Sequence, residues 1–268
     1  MRGVTLVLAI VAAAVIAVPL LLYLAQERLI FLPRPITEAR RAEIVQRTGV
    51  ESILLQAADG RRLHAWYLAA GDGAPLVIYF GGNAEDVSWM IAEARRHAPG
   101  VAWLLTDYRG YGASEGAPAE RSLVSDALTW FDHAAERLGA RQVFVLGRSL
   151  GSALAVRVAA ERPVAGVIAI APFDSLTAVA RHYYPFLPVR WLLKHPFDSA
   201  SLEPRVSAPL LCLVAGADEI IPAERSRRLY DAWAGPKTWV ELEGARHNET
   251  DDSPSLWASI QQFLARER

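Results

Sequence analysis

The sequence predicts an α/β domain with a mostly parallel central sheet, preceded by an apolar N-terminal segment. Three observations carry this expectation. Short, nearly continuous apolar runs recur at 76–80, 101–105, 143–146, 164–170, 210–214 and 238–242, the pattern of strands buried on both faces. Segments with helical spacing separate them, at 87–96, 119–138, 150–161, 223–233 and 254–266. Such alternation closes a parallel sheet through right-handed crossovers. Finally, the 268 residues are 52 % hydrophobic and 21 % charged, a balance that supports a large buried core and excludes a disordered chain.

The elements follow in order. Residues 4–25 hold no charge, and a helix of about 20 apolar residues is enough to cross a bilayer core. A cleaved secretory signal is the rival reading, but its apolar core usually runs only about 7–15 residues and is followed by a polar segment. Residues 1–25 are therefore expected to be an uncleaved single-pass anchor in a bacterial inner membrane. Arg2 precedes the span and Arg28, Arg34, Arg40 and Arg41 follow it; this count places the following domain on the cytoplasmic side, but large folded domains often ignore it, so the side stays open. Residues 26–49 read as an amphipathic connector, with Pro33 and Pro35 near its start. Two alternating segments, 51–56 and 63–68, flank the turn Asp59-Gly60 and read as a strand pair. From there to the C-terminus, 50–268 reads as one domain without internal repeats. One connection is too long for a plain crossover: 172–208 carries Phe173, Tyr183, Tyr184, Phe186, Trp191 and Phe197 among several prolines. Such an insertion is a lid-like element or a packed satellite helix.

Several function classes drop out early. A net charge of −1 offers no footprint for a nucleic-acid backbone. A single cysteine, Cys212, excludes an internal disulfide framework and any cysteine-rich metal cluster. Neither a phosphate-binding Gly-Lys-Ser/Thr loop nor a dinucleotide fingerprint occurs.

Gly147-Arg148-Ser149-Leu150-Gly151 is a Gly-x-Ser-x-Gly motif, entered from the apolar run 143–146 and left through small residues of a helix. A strand-to-helix turn this tight holds its serine in a strained conformation, with the hydroxyl exposed at the sheet's carboxyl end. A serine needs a base. Of six histidines only His247 follows the last expected strand, in a loop of the kind where open α/β sheets assemble their sites. Asp218, just past 210–214, is the candidate to orient that base, with Glu219 as the neighbouring alternative. The chain order Ser149, Asp218, His247 fits this architecture. For the oxyanion, backbone N–H groups are expected from Leu150 and from Asn83, in the glycine-rich loop after 76–80.

Together these blocks resemble the α/β-hydrolase superfamily over roughly residues 50–268. Gly82-Asn83-Ala84-Glu85, Asp107-Tyr108-Arg109-Gly110-Tyr111-Gly112 with Ser114 and Gly116, and Gly244 with His247-Asn248 are similar to the bud-emergence-type single-pass hydrolases, a group with depalmitoylase-like members. The resemblance implies a serine hydrolase acting on ester, thioester or related acyl bonds, without metal or cofactor. Many members of that group carry His-Gly-Asn where this chain has Gly81-Gly82-Asn83. Asp107 and Arg109 are read as an ion pair bracing the loop beside the site. The leading expectation is a membrane-anchored hydrolase of a small-molecule or lipid-like acyl substrate. A serine peptidase of the prolyl-oligopeptidase kind and a non-catalytic membrane scaffold are the alternatives.

Overall fold

The computed structural model describes the backbone of residues 2–202 and 205–267, and the side chains of all of these except 2 and 4–16. Eight strands form one sheet: β1 (Glu51–Gln56), β2 (Arg62–Leu68), β3 (Leu76–Phe80), β4 (Ala102–Thr106), β5 (Val143–Arg148), β6 (Gly166–Ile170), β7 (Leu210–Ala215) and β8 (Lys237–Leu242). Their spatial order is β1-β2-β4-β3-β5-β6-β7-β8. β1, β2 and β4 pair antiparallel, and every pairing from β4 onward is parallel.

Alternation along each strand divides the core in two. On β5, Val143 and Val145 face α4 (Glu120–Glu136) and α5 (Leu150–Glu161), together with Leu123, Trp130 and Leu154. Phe144 and Leu146 face the opposite way, toward α3 (Met90–His97) and α9 (Pro254–Arg266), with Met90, Trp257 and Phe263. α8 (Ala223–Ala232) contributes Leu229 to the first layer. Burial on both faces explains why these strands read as unbroken apolar runs.

The expected anchor over 1–25 falls largely on residues whose side chains lie outside the described set. Among the described residues no helix is long and apolar enough to cross a membrane. The backbone of α1 (Arg2–Ile30) continues beyond residue 25 into the segment expected to be a connector. Most of the rest of that segment is α2 (Glu38–Thr48), started by the Thr37 hydroxyl accepting from the Arg40 N–H at 3.2 Å and closed by Gly49 at φ 64°.

The end of α1 is bound into the domain. Phe31 is 2 % exposed and meets the edges of His195 and Phe197 at centroid distances of 5.1 and 6.3 Å. Both partners belong to the insertion, whose described part contains α6 (Leu176–Tyr183) and α7 (Val189–Leu192). Its residues 203 and 204 lie outside the described set. Gln26, also buried, donates to the Leu192 carbonyl at 2.9 Å and accepts from the Lys194 N–H at 2.7 Å.

His195 makes this joint sensitive to pH. The Glu120 N–H donates to its Nδ1 at 3.2 Å, so the neutral ring carries its proton on Nε2. Burial lowers its pKa below the ordinary 6.5; Lys194 adds to this, and Glu27 opposes it. The folded state therefore binds fewer protons than the unfolded chain as pH falls below 6.5. Stability from this group is complete above that pH and is lost as pH falls toward the depressed folded value. Thermal melts at pH 7.5 and 5.5 should show a larger drop in Tm for the wild type than for His195→Gln. Equal drops would remove His195 from the explanation.

The ion pair expected between Asp107 and Arg109 does not form. The antiparallel register of β2 and β4 sets His64 against Asp107, and His64 Nδ1 lies 2.6 Å from the Asp107 carboxylate. Arg109 instead reaches α4, where Nε and Nη2 donate to the two Asp126 oxygens at 2.7 and 2.8 Å, and it also pairs with Asp59.

Candidate active site

Ser149 sits on the turn from β5 into α5 with φ 49° and ψ −113°, a region that favours glycine. Holding a side-chain-bearing residue there costs on the order of 1–3 kcal/mol, which the surroundings must impose. They do so in two ways. The Ser149 N–H donates to the Ile170 carbonyl at 2.8 Å, tying the turn to β6. Gly147 and Gly151 let the crossing backbones touch: a Cβ on Gly147 would collide with the Gly151 carbonyl, and one on Gly151 with the Phe80 carbonyl. Replacing either glycine would force the elbow apart.

The structure brings Ser149, His247 and Asp218 together. His247 Nε2 lies 2.9 Å from Ser149 Oγ, and its Nδ1 lies 2.8 and 3.0 Å from the two Asp218 oxygens. All three hang from carboxyl ends of strands, after β5, β8 and β7. The two later loops are joined by the Ala217 N–H donating to the Ala245 carbonyl at 2.9 Å. Asp218 is held by N–H groups of Ile220 and Ile221 at 2.9 and 2.7 Å. Glu219, the alternative orienter, accepts from the His247 backbone N–H at 3.1 Å and pairs with Arg246, away from the imidazole nitrogens. His247 and Asp218 side chains are each 5 % exposed, so their hydrogen bond is sheltered from solvent competition.

A cavity of about 610 Å³ opens over Ser149 and His247 and is bordered by both expected oxyanion residues, Asn83 and Leu150. Leu150 opens α5, where a first-turn N–H has no intrahelical acceptor. The Asn83 side chain is a strut. Its Oδ1 accepts from Tyr111 Oη at 2.7 Å and from the Leu32 and Ala84 N–H groups at 3.0 Å, while Nδ2 donates to the Ile30 carbonyl at 2.7 Å. These bonds fasten the loop to the end of α1 without using Asn83's own backbone amide.

Several cavity residues are not among the site residues expected from the sequence. Leu29, Ile30 and Leu32 form a wall from the segment read as a connector. Arg148, inside the serine motif, donates to Asp251 at 2.6 Å; burial pushes that carboxyl up and Arg148 pulls it back down. Glu85 accepts from Tyr79 Oη at 2.6 Å and Trp89 Nε1 at 2.9 Å, which shapes the loop's far side. From the insertion, Leu176, Val179 and Ala180 line the cavity, and Tyr183 Oη donates to the Glu219 and Ile220 carbonyls at 3.0 and 2.9 Å.

A family model described as serine aminopeptidase, S33, matches residues 74–202. The uncharacterized protein Rv2307c of Mycobacterium tuberculosis is 36 % identical over 96 % of this chain and 94 % of its own. The chain belongs to the α/β-hydrolase superfamily. Among further relatives of this hydrolase, rat lysophosphatidylserine lipase ABHD12 is 28 % identical, covering 75 % of this chain and 58 % of its own. Esterase Pf2001 of Pyrococcus furiosus shares the fold, with a TM-score of 0.70 at 18 % identity, covering 88 % of the hydrolase and 97 % of the esterase.

Proposed function

We propose that this hydrolase is a membrane-anchored serine hydrolase that cleaves carboxylic ester or thioester bonds of acyl substrates. The observation that carries the reading is the continuous hydrogen-bonded line from Ser149 Oγ through the His247 imidazole to Asp218. In it, Ser149 Oγ attacks the acyl carbon and passes its proton to His247 Nε2. Asp218 accepts from Nδ1–H, fixing the tautomer and stabilising the imidazolium. The tetrahedral oxyanion is held by the Asn83 and Leu150 N–H groups, and the positive end of α5 favours the same charge. Collapse expels the alcohol or thiol, which takes the proton from His247. Water, activated by the same base, then releases the acid from the acyl-serine.

Relatives named as an esterase and a lipase support the ester reading. The uncharged run over 4–25 supports anchorage in a bacterial inner membrane. The description of the matching family model favours a second reading, aminopeptidase activity. Faster cleavage of aminoacyl arylamides than of aryl esters would reverse the order.

The direct test is labelling of the detergent-solubilised full chain with a fluorophosphonate, with the adduct mapped by mass spectrometry. An adduct on Ser149 that is absent from a folded Ser149→Ala protein is the expected result. A folded wild type that takes no adduct would leave the non-catalytic scaffold reading in its place.

A further inference from the structure

A second cavity adjoins the one over Ser149. It holds about 230 Å³ and lies between α1 and the α6–α7 segment, bounded by Leu22, Tyr23, Leu187, Leu192 and Leu193. The two share Leu29, Ile30, Ala180 and Tyr184 as walls, so they meet side by side. Polarity runs in one direction along them. Asn83, Glu85, Arg148 and Asn248 stand at the Ser149 end. Past Ala180 the lining is aliphatic and aromatic, apart from Gln26.

Gln26 does not face the cleft as an unmet polar group. Its amide is consumed in three bonds, to the Tyr23 and Leu192 carbonyls at 2.9 Å each and from the Lys194 N–H at 2.7 Å. The Lys194 ammonium also lies 4.6 Å from the centre of the Tyr23 ring. The cleft therefore has two walls pinned to each other at one edge and an apolar interior. Its outer rim is apolar as well: Phe186 is 98 % exposed and Trp191 83 %, on the insertion that flanks α1.

We infer that the cleft between α1 and α6–α7 is the acyl-chain channel of the catalytic site, taking a long, unbranched hydrocarbon whose carbonyl lies at Ser149. The inference rests on the serine-hydrolase reading and deepens it: the substrate is a long-chain acyl ester or thioester, and α1 is a wall of its binding site. A polar head with an extended apolar tail matches the change in lining along the two cavities. Each methylene drawn from water into the channel raises kcat/KM about fourfold until the channel is full.

Two measurements on the full chain in detergent micelles test this. In the first, native protein is treated with an ethyl fluorophosphonate and with a long-alkyl fluorophosphonate bearing a terminal diazirine. Photolysis of the long adduct should crosslink residues 22–30 or 187–193. Crosslinks elsewhere, with Ser149 labelled, overturn the channel and leave the serine-hydrolase reading intact; no Ser149 adduct with either reagent takes both down. In the second, kcat/KM is followed across p-nitrophenyl esters of increasing acyl length. Ala180→Trp, on the wall the two cavities share, should end the rise at a shorter chain than Leu193→Trp, which lines the second cavity alone, and both at a shorter chain than wild type. The two blocks act as a ruler, which misfolding does not imitate. An unmoved cutoff in both variants, each giving the wild-type Ser149 adduct, overturns the inference.

Discussion

Ser149→Ala and His247→Ala are each expected to lower kcat for a short-chain aryl ester by about 10⁴–10⁶-fold, and the double variant to lose no more than the worse single one. The reason is geometric. With His247 Nε2 2.9 Å from Ser149 Oγ, the proposed mechanism assigns both side chains to one proton transfer, so removing either should abolish it. Asp218→Asn is expected to be less severe than the loss of Ser149. The asparagine would still meet His247 Nδ1, but an amide nitrogen there favours the tautomer with its proton on Nε2, which cannot accept from serine. Residual rate in each variant reports the oxyanion donors and the cavity alone. Stopped-assay kinetics on purified variants with unchanged melting curves check this. Independent, multiplying losses for Ser149 and His247 would separate the two residues and remove the shared step.

Arg109→Leu is expected to destabilise the fold by about 3–5 kcal/mol, because it strands a buried carboxylate. At this chain length that is a fall in Tm of roughly 10 °C. Asp126 on α4 is 8 % exposed by its side chain, and its two oxygens are both occupied by Arg109. Burial already pushes the Asp126 carboxyl up; Arg109 is what draws it back. The folded-state value already lies above the unfolded one, and without the guanidinium it rises further. A group shifted that way favours the folded state at low pH and costs stability as pH rises through the window between the two values. The deficit of Arg109→Leu should therefore be smaller at pH 5 than at pH 7.5, and Arg109→Leu/Asp126→Leu should recover part of it. A deficit that ignores pH would show that Asp126 is not the group left uncompensated.

Much of this site could be read before any coordinates. The Gly-x-Ser-x-Gly turn names Ser149 because only glycines tolerate the crossing of β5, α5 and the Phe80 carbonyl. His247 and Asp218 followed from position alone, each in the first loop after an apolar run. The sequence prefers Asp218 to Glu219 by position, and it is Asp218 whose oxygens meet His247 Nδ1. The Asp107 reading failed for a related reason. Its partner is set by the register of β2 against β4, a long-range fact that spacing within Asp107-Tyr108-Arg109 does not contain. The swap that lays β4 between β2 and β3 is equally invisible, because a crossover of given length reaches either neighbour. Least legible was the end of α1. Phe31 and Gln26 lie in the stretch read as a connector, and their roles depend on an insertion more than 160 positions away in the chain.

The bonds from Asn83 to Ile30 and Leu32 decide where this enzyme can be cut and rejoined. A chimera that splices a foreign leader at residue 50 would inherit Ser149, Asp218 and His247 and yet leave the Asn83 loop without its outside fastening. A splice placed ahead of Gln26 would carry the fastening with it. The smallest exchangeable unit is therefore set by an asparagine in the third strand's loop, and it begins inside a helix.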